Sequence, residues 1–321
     1  MARVVGLGVA GAALALLPSP APAQAAAASV AQGFYTGAAN PAGVAAAGVT
    51  TGTTPKIASD FLVGSSGWAG MVNSSANAWL LGPYENKGYQ LDLGVPMTPT
   101  SNGTPVGTLA TGATGAYDSY YTTLAQTLVS YGDANAILRL GWEFNGNWFP
   151  WAVSNNTDAA NFAAYWIQIV DTMRAVTGAN FQFDWNVAAG SGSFTLADAY
   201  PGSAYVSSIG FDDYDQYWGA ATPQQAWNNA LTATAGLNWV SSFAAANHVP
   251  VSIPEWGLTF GATGGEVGMG DDPYYINQMA SWIASNNVSF ESYFDFNAQD
   301  GNHLLASTLD PNSLAAFKAD F

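Results

Sequence analysis

Short apolar or alternating runs give way, over and over along this chain, to stretches whose apolar residues recur every three or four positions. The first pattern predicts strands and the second helices. Strands are expected at GFYTGAAN (33–40), PKIASDFLVG (55–64) and YQLDLGVPMTP (89–99). Between the first two, residues 41–52 read as an Ala-rich helix with Pro41 in its first turn and Gly52 beyond its end. Residues 100–114 read as loop. A helix over 116–132 sets Tyr120, Leu124, Leu128 and Val129 at helical spacing, and ANAILRLGWEF (134–144) follows as the fourth strand.

The alternation then continues. Thr157 or Asp158 caps a helix that closes on Gly178, and residues 181–190 and 205–215 are the fifth and sixth strands. Residues 222–248 form one long helix, or two broken near Gly236. VPVSIPEWGLTF (249–260) is the seventh strand and 288–297 the eighth, with helices over 272–287 and 310–321. Eight strands separated by helices, without a shorter repeat or a Pro- or Ser-rich linker, put the chain in the α/β class as one (β/α)8 TIM barrel.

The first 28 residues stand apart from this pattern. Arg3, an apolar core over 4–17 and the small-residue sites Ala21-Pro22-Ala23 and Ala23-Gln24-Ala25 read as a secretory signal peptide rather than a membrane span. The alternative is an uncleaved N-terminal anchor. The expectation is therefore a secreted, extracellular protein whose single catalytic domain covers 29–321. Cysteine is absent, so disulfides cannot brace it, and 12 Trp, 16 Phe and 15 Tyr must supply the packing area instead.

Charge narrows the partners. Six Lys+Arg against 22 Asp+Glu give a formal net charge of -16, which repels nucleic acid and anionic membranes and disfavours polyanionic substrates. A neutral polysaccharide is the better partner, and a monomer is expected. No His, Cys and carboxylate cluster has metal-ligand spacing, no Gly-rich phosphate loop follows the first strand, and no GxSxG elbow is present. Neither a metal nor another cofactor is expected.

Two glutamates carry the candidate chemistry. Glu143 follows an apolar run and precedes a half-aromatic loop containing Asn145, Gly146, Trp148, Phe149, Pro150 and Trp151. Aromatic faces stack on the C–H faces of sugars, and a carboxyl packed against indole is suited to general acid work. Taken alone, Glu143 reads more readily as a helix cap or a loop charge than as an acid. Glu255, about 110 residues on, again ends an apolar run and again precedes Trp and Gly. Two strand-end carboxyls match a glycoside-cleaving pair, and strands 4 and 7 face each other across a barrel mouth. Asp60, Asp92, Trp185, Asn186, Asp212, Asp213, Tyr214, Asp295 and Asn297, at the other strand ends, are expected to line the same bowl.

These residues resemble the family 26 glycoside hydrolases, β-mannanases and their relatives. Arg139, Glu143, Phe144, Asn145, Gly146, Trp148, Phe149, Pro150 and Trp151 match the family's fourth-strand motif, Glu255-Trp256-Gly257 its seventh, and YPGSAYVSSIGFDDYD (200–215) its sixth. The resemblance implies a retaining endo-β-glycanase with Glu143 as acid/base and Glu255 as nucleophile. Arg139 and Tyr214 would then orient the nucleophile. Trp142, Asn145, Trp148, Trp151, Tyr214, Trp256 and Phe296 would bind substrate, with Trp218 as a further candidate sugar platform. Two places depart from the mannanase pattern: Trp142 stands where His is typical, and Phe294 or Phe296 replaces the eighth-strand Trp. β-Mannan is the first substrate expected, a β-1,3- or mixed-linkage glucan or xylan the second, and a non-catalytic glycan-binding barrel the competing class.

Overall fold

The computed structural model describes residues 30–321 except 191, 217–218, 263–267, 300 and 306–308. The expected signal peptide and Trp218 lie outside the described residues. Eight parallel strands close into a barrel: β1 (Ala31–Tyr35), β2 (Ile57–Phe61), β3 (Gln90–Val95), β4 (Ile137–Leu140), β5 (Gln182–Ala188), β6 (Ser208–Tyr214), β7 (Val251–Gly257) and β8 (Val288–Phe294). They follow in sequence order around the wall, and β1 pairs with β8 to shut it. All eight expected strands are present: β1 starts two residues earlier than expected and ends sooner, and the others are trimmed at one or both ends. The 222–248 segment is two helices, Pro223–Thr232 and Leu237–Asn247, with Gly236 as the N-cap of the second.

Three pieces departed from expectation. Helices at Gly67–Met71 and Ser74–Leu81 occupy a Gly-, Ser- and Asn-rich stretch that carries no helical apolar period. The Asn73 side chain caps the second of these by accepting from the Ser75 and Ala76 N–H groups. Within the expected loop over 100–114, a two-residue hairpin and a short helix (Leu109–Gly112) form. No helix among the described residues is long and apolar enough to cross a membrane.

The main core lies between the barrel wall and the helices, where Trp166, Trp185, Trp256, Phe162, Phe183 and Tyr293 are fully buried. Inside the barrel the filling is layered. Ile57, Ile137 and Phe290 form a small apolar cluster at the strand starts. Above it the layer is polar. Ser59 of β2 bonds to Asp92 of β3 at 2.9 Å and to Ser292 of β8 at 2.8 Å, and Ser252 of β7 bonds to Asp184 of β5 at 2.8 Å. β2 and β8, like β5 and β7, are not neighbours in the wall, so these bonds run through the interior. Glycine makes the second possible: a Cβ on Gly210 of the intervening β6 would come within 2.7 Å of the Asp184 carboxylate.

Candidate active site

The loop after β4 is set by backbone that few residues tolerate. Gly141 has φ +53° and Glu143 φ +52°, the left-handed region that costs a non-glycine residue about 1 kcal/mol. Surrounding bonds hold Glu143 there. Its N–H donates to the Asn186 carbonyl at 3.1 Å, and its own carbonyl accepts from Gly146 N–H at 3.0 Å. Asn145 donates Nδ2–H to the Ala188 carbonyl and accepts Ala188 N–H on Oδ1, both at 2.9 Å. Phe144 is buried beside Phe162 and Trp185, anchoring the loop below. Trp148 arches back so that its indole Nε1–H donates to Glu143 Oε2 at 2.7 Å. Its ring lies where a side chain on Gly146 would sit, which is why that position takes glycine.

Glu255, near the end of β7, is nearly buried and points into the barrel. Fully buried Arg139 on β4 reaches it through Nη1–H to Oε1. The same guanidinium donates Nε–H to Asp92 Oδ1 at 3.1 Å and Nη1–H to Asn186 Oδ1 at 3.3 Å, and stands 3.7 Å from Asp212 Oδ2. One cation thus sits among three acids. Its own pKa is raised by Asp92, Glu255 and Asp212 against the opposing pull of burial. Tyr214 donates its hydroxyl to the other Glu255 oxygen at 3.1 Å.

Glu143 and Glu255 converge on shared neighbours. Burial raises the Tyr214 phenol well above its ordinary pKa, and the charges of Glu255 and then Glu143 add to that rise. Asp212 is likewise raised by burial, Glu255 and Glu143, with Arg139 opposing. Asp92 is pushed up to about 6 by burial, with Arg139 as the chief opposing influence. Around this centre stands an aromatic wall. Tyr35 stacks on Phe294 at 4.6 Å and meets Phe61 edge-on at 5.2 Å; Phe61 lies under the Arg139 guanidinium at 5.0 Å and beside Trp142 at 5.2 Å. Burial, Asp60 and Glu255 together push the Tyr35 phenol up to about 12.

Of the residues expected from sequence, Arg139, Glu143, Glu255, Tyr214 and Trp148 meet at one place. Trp142 packs between Phe61, Phe149 and Trp151, and Phe296 stands 37% exposed at the rim against Tyr35. Three candidate sugar contacts are corrected. Trp256 is wholly buried outside the wall among Tyr275, Tyr293, Phe317 and Phe321, and its indole N–H goes to Glu291 Oε2 at 2.7 Å. Alternation along β7 explains this: Glu255 points in, so the next residue points out. Trp151 is buried, stacked on Phe149 at 4.7 Å, with its N–H on the Trp142 carbonyl. Asn145 spends its amide on Ala188.

Among the strand-end residues, Asp92, Asn186 and Asp212 join the Arg139 cluster. Asp213 instead faces outward and accepts from the Tyr275 hydroxyl at 3.1 Å, and Trp185 packs on Phe243 and Tyr200. Asp60 ties down the loop after β1 by accepting from Ala39 N–H and the Tyr84 hydroxyl. Sequence reading missed Tyr35 and Phe61, and it named Phe294 only as an alternative to Phe296. Each sits at or next to the end of its own strand on the inward face, so the period-two pattern that exposed the glutamates would have found them. Among the described residues no group of His, Cys, Asp and Glu is arranged to hold a metal ion.

Comparison with known proteins agrees with this architecture. A curated relative, Endoglucanase H of Acetivibrio thermocellus, is 34% identical over 137 residues, which is 39% of this chain and 15% of that protein. The mannan endo-1,4-beta-mannosidase of Bifidobacterium adolescentis is 27% identical over 191 residues, 53% of this chain and 19% of that protein. The matches thus take in less than a fifth of either relative's length. Among solved structures, a double mutant of the Cellulomonas fimi endo-beta-1,4-mannanase shares the fold at TM-score 0.62 and 16% identity, over 90% of this chain and 70% of that one. The family profile described as Glycosyl hydrolase family 26 matches residues 106–255, a span that contains both Glu143 and Glu255. Over that span, 106–255, the chain is similar to glycosyl hydrolase family 26.

Proposed function

We propose that this protein is a secreted, retaining endo-β-glycanase acting on a neutral polysaccharide, with β-mannan as its first substrate. The observation that carries this reading is the convergence of Glu143 and Glu255 on Tyr214 and Asp212 within an aromatic-walled mouth. Glu143 gives its proton to the glycosidic oxygen while Glu255 attacks the anomeric carbon. The C–O bond to the leaving sugar breaks, and a covalent glycosyl-enzyme forms. Water, deprotonated by Glu143, then releases the sugar with its configuration retained. Arg139 and Tyr214 hold the two Glu255 oxygens, so the attacking carboxylate is fixed in place before substrate arrives. The exposed Trp148 ring offers an apolar face to a sugar beside Glu143, and its N–H keeps that carboxyl in one orientation. The relatives' names support both mannan and β-glucan. The second reading, a mixed-linkage or β-1,3-linked glucan, is favoured by Trp142, which puts a hydrophobic ring where the mannanases typically carry His.

The test is reducing-end release from β-mannan, mixed-linkage glucan, β-1,3-glucan and xylan, with the anomer first formed followed by proton NMR. Release of oligosaccharides with the β anomer appearing first is expected. Initial formation of the α anomer overturns the double-displacement step. Binding without release from any of the four leaves a glycan-binding barrel.

A further inference from the structure

The side chain of Asn145 behaves like one more peptide unit at the edge of β5. It is buried, and its Nδ2–H and Oδ1 take the carbonyl and N–H of the same residue, Ala188, each at 2.9 Å. Main-chain ladders pair strands in the same donor–acceptor way, so the amide extends a rung of the sheet into the loop after β4. The rest of that rung is known. Ala188 is in register with Asp212 on β6, and Asp212 with Glu255 on β7. The Ala189 N–H, one residue along, donates to the Asp212 carbonyl at 2.8 Å. One lateral row therefore runs Asn145, Ala188, Asp212, Glu255. Its near end lies two residues from Glu143, whose left-handed backbone would relax toward ordinary φ if released.

We infer that Asn145 is a positioning residue for the acid/base function: by joining the Glu143 loop to the rung that bears Glu255, it fixes the span between the two carboxyls. Asn145 would not touch substrate, and it acts only through where Glu143 points. Asn is suited to this because Ala188 presents both a donor and an acceptor. Asp can satisfy both only when protonated, and Ala satisfies neither.

This inference rests on the hydrolase reading, so its test must separate the two. The step that needs a proton from Glu143 is departure of a poor leaving group. A 2,4-dinitrophenolate leaves without one. The comparison is between the polysaccharide that the wild type cleaves and the 2,4-dinitrophenyl β-glycoside of the disaccharide it releases. For Asn145→Ala, kcat/KM on the polysaccharide is expected to fall about 100-fold. On the dinitrophenyl glycoside kcat/KM should stay within about threefold of wild type, because glycosylation there needs no acid. Its kcat and KM should both drop as glycosyl-enzyme accumulates, and azide should restore kcat. Near-ultraviolet circular dichroism, sensitive to the loop tryptophans, checks folding. If the Ala variant does not fold, Asn145→Asp carries the test, with the same split between substrates and a deficit that shrinks as pH falls and the new carboxyl is protonated. Equal losses on both substrates, or no loss on either, overturn the positioning role and leave the hydrolase reading intact. A wild type that cleaves neither substrate removes both.

Discussion

Glu291 on β8 is fully buried outside the barrel, its Oε2 accepting from the Trp256 indole at 2.7 Å. Burial is the leading influence and pushes its pKa up from 4.5 to about 8, with the indole bond opposing. The folded pKa lies above the unfolded one. Its contribution to stability is therefore fully present below about pH 4.5 and is lost as pH rises through about 8. Between those limits the native state keeps one proton that the unfolded chain has released, so stability falls by about 1.4 kcal/mol per pH unit from this group. The slope requires only that native titration lie above the measured range, not a particular value for the shift. Replacing Glu291 with Gln keeps an oxygen acceptor for Trp256 and removes the titration. The new amide N–H₂ falls where Oε1 has no hydrogen-bond partner among the described residues, a pH-independent cost that moves the whole curve without changing its slope. From pH 5.5 to 7.0 wild type should lose about 2 kcal/mol more than Glu291→Gln. For a domain of this size that is roughly 4 °C of Tm. Urea unfolding followed by tryptophan fluorescence at pH 5.5, 6.0, 6.5 and 7.0 reads the difference directly. Parallel stability–pH lines for the two proteins would refute the reasoning, because they would mean that Glu291 titrates alike in the native and unfolded states.

Three other outcomes are expected. Tyr214→Phe removes the hydroxyl that donates to Glu255 Oε2, a bond to a charged acceptor worth about 1.5–3 kcal/mol, so turnover should fall about 10- to 100-fold with the fold unchanged; steady-state kinetics showing less than a threefold change would count against it. Trp148→Phe keeps a ring but deletes the N–H on Glu143 Oε2, and kcat on polysaccharide should drop about tenfold while binding measured by calorimetry changes little. Asp271→Ala should lower thermal stability by about 1–2 kcal/mol, because that carboxylate caps the final helix from outside by accepting from the N–H groups of Asn312 and Ser313 and from both their side chains; differential scanning calorimetry would detect the loss.

The sequence made the barrel visible because its strands are buried on both faces and read as unbroken apolar runs, while the helices between them show one apolar stripe. Glu143 and Glu255 stood out because a charge at the end of such a run has no packing reason to be there. Neighbours in sequence were harder to sort by face. Trp256 was grouped with Glu255, and Asp213 with Asp212, although a strand sends consecutive side chains to opposite sides. Asn145 resembled a sugar ligand because sequence cannot tell an amide offered to substrate from one consumed by a nearby backbone. The helices at 67–71 and 74–81 escaped notice since their burial comes from a few residues such as Trp68 and Leu80 rather than from a repeating stripe.

The acids sealed into this molecule alter what its formal charge means. The value of -16 treats every carboxyl as ionised. Asp184, Asp215 and Glu291 are each pushed up to about 8 and Asp213 to about 7, all chiefly by burial, and Asp212 is raised as well. At neutral pH the native protein therefore holds protons that a tally of residues assumes are gone. It should migrate more slowly toward the anode than its composition implies. Melting it should release those protons to the medium, so the measured unfolding heat will differ between phosphate and Tris.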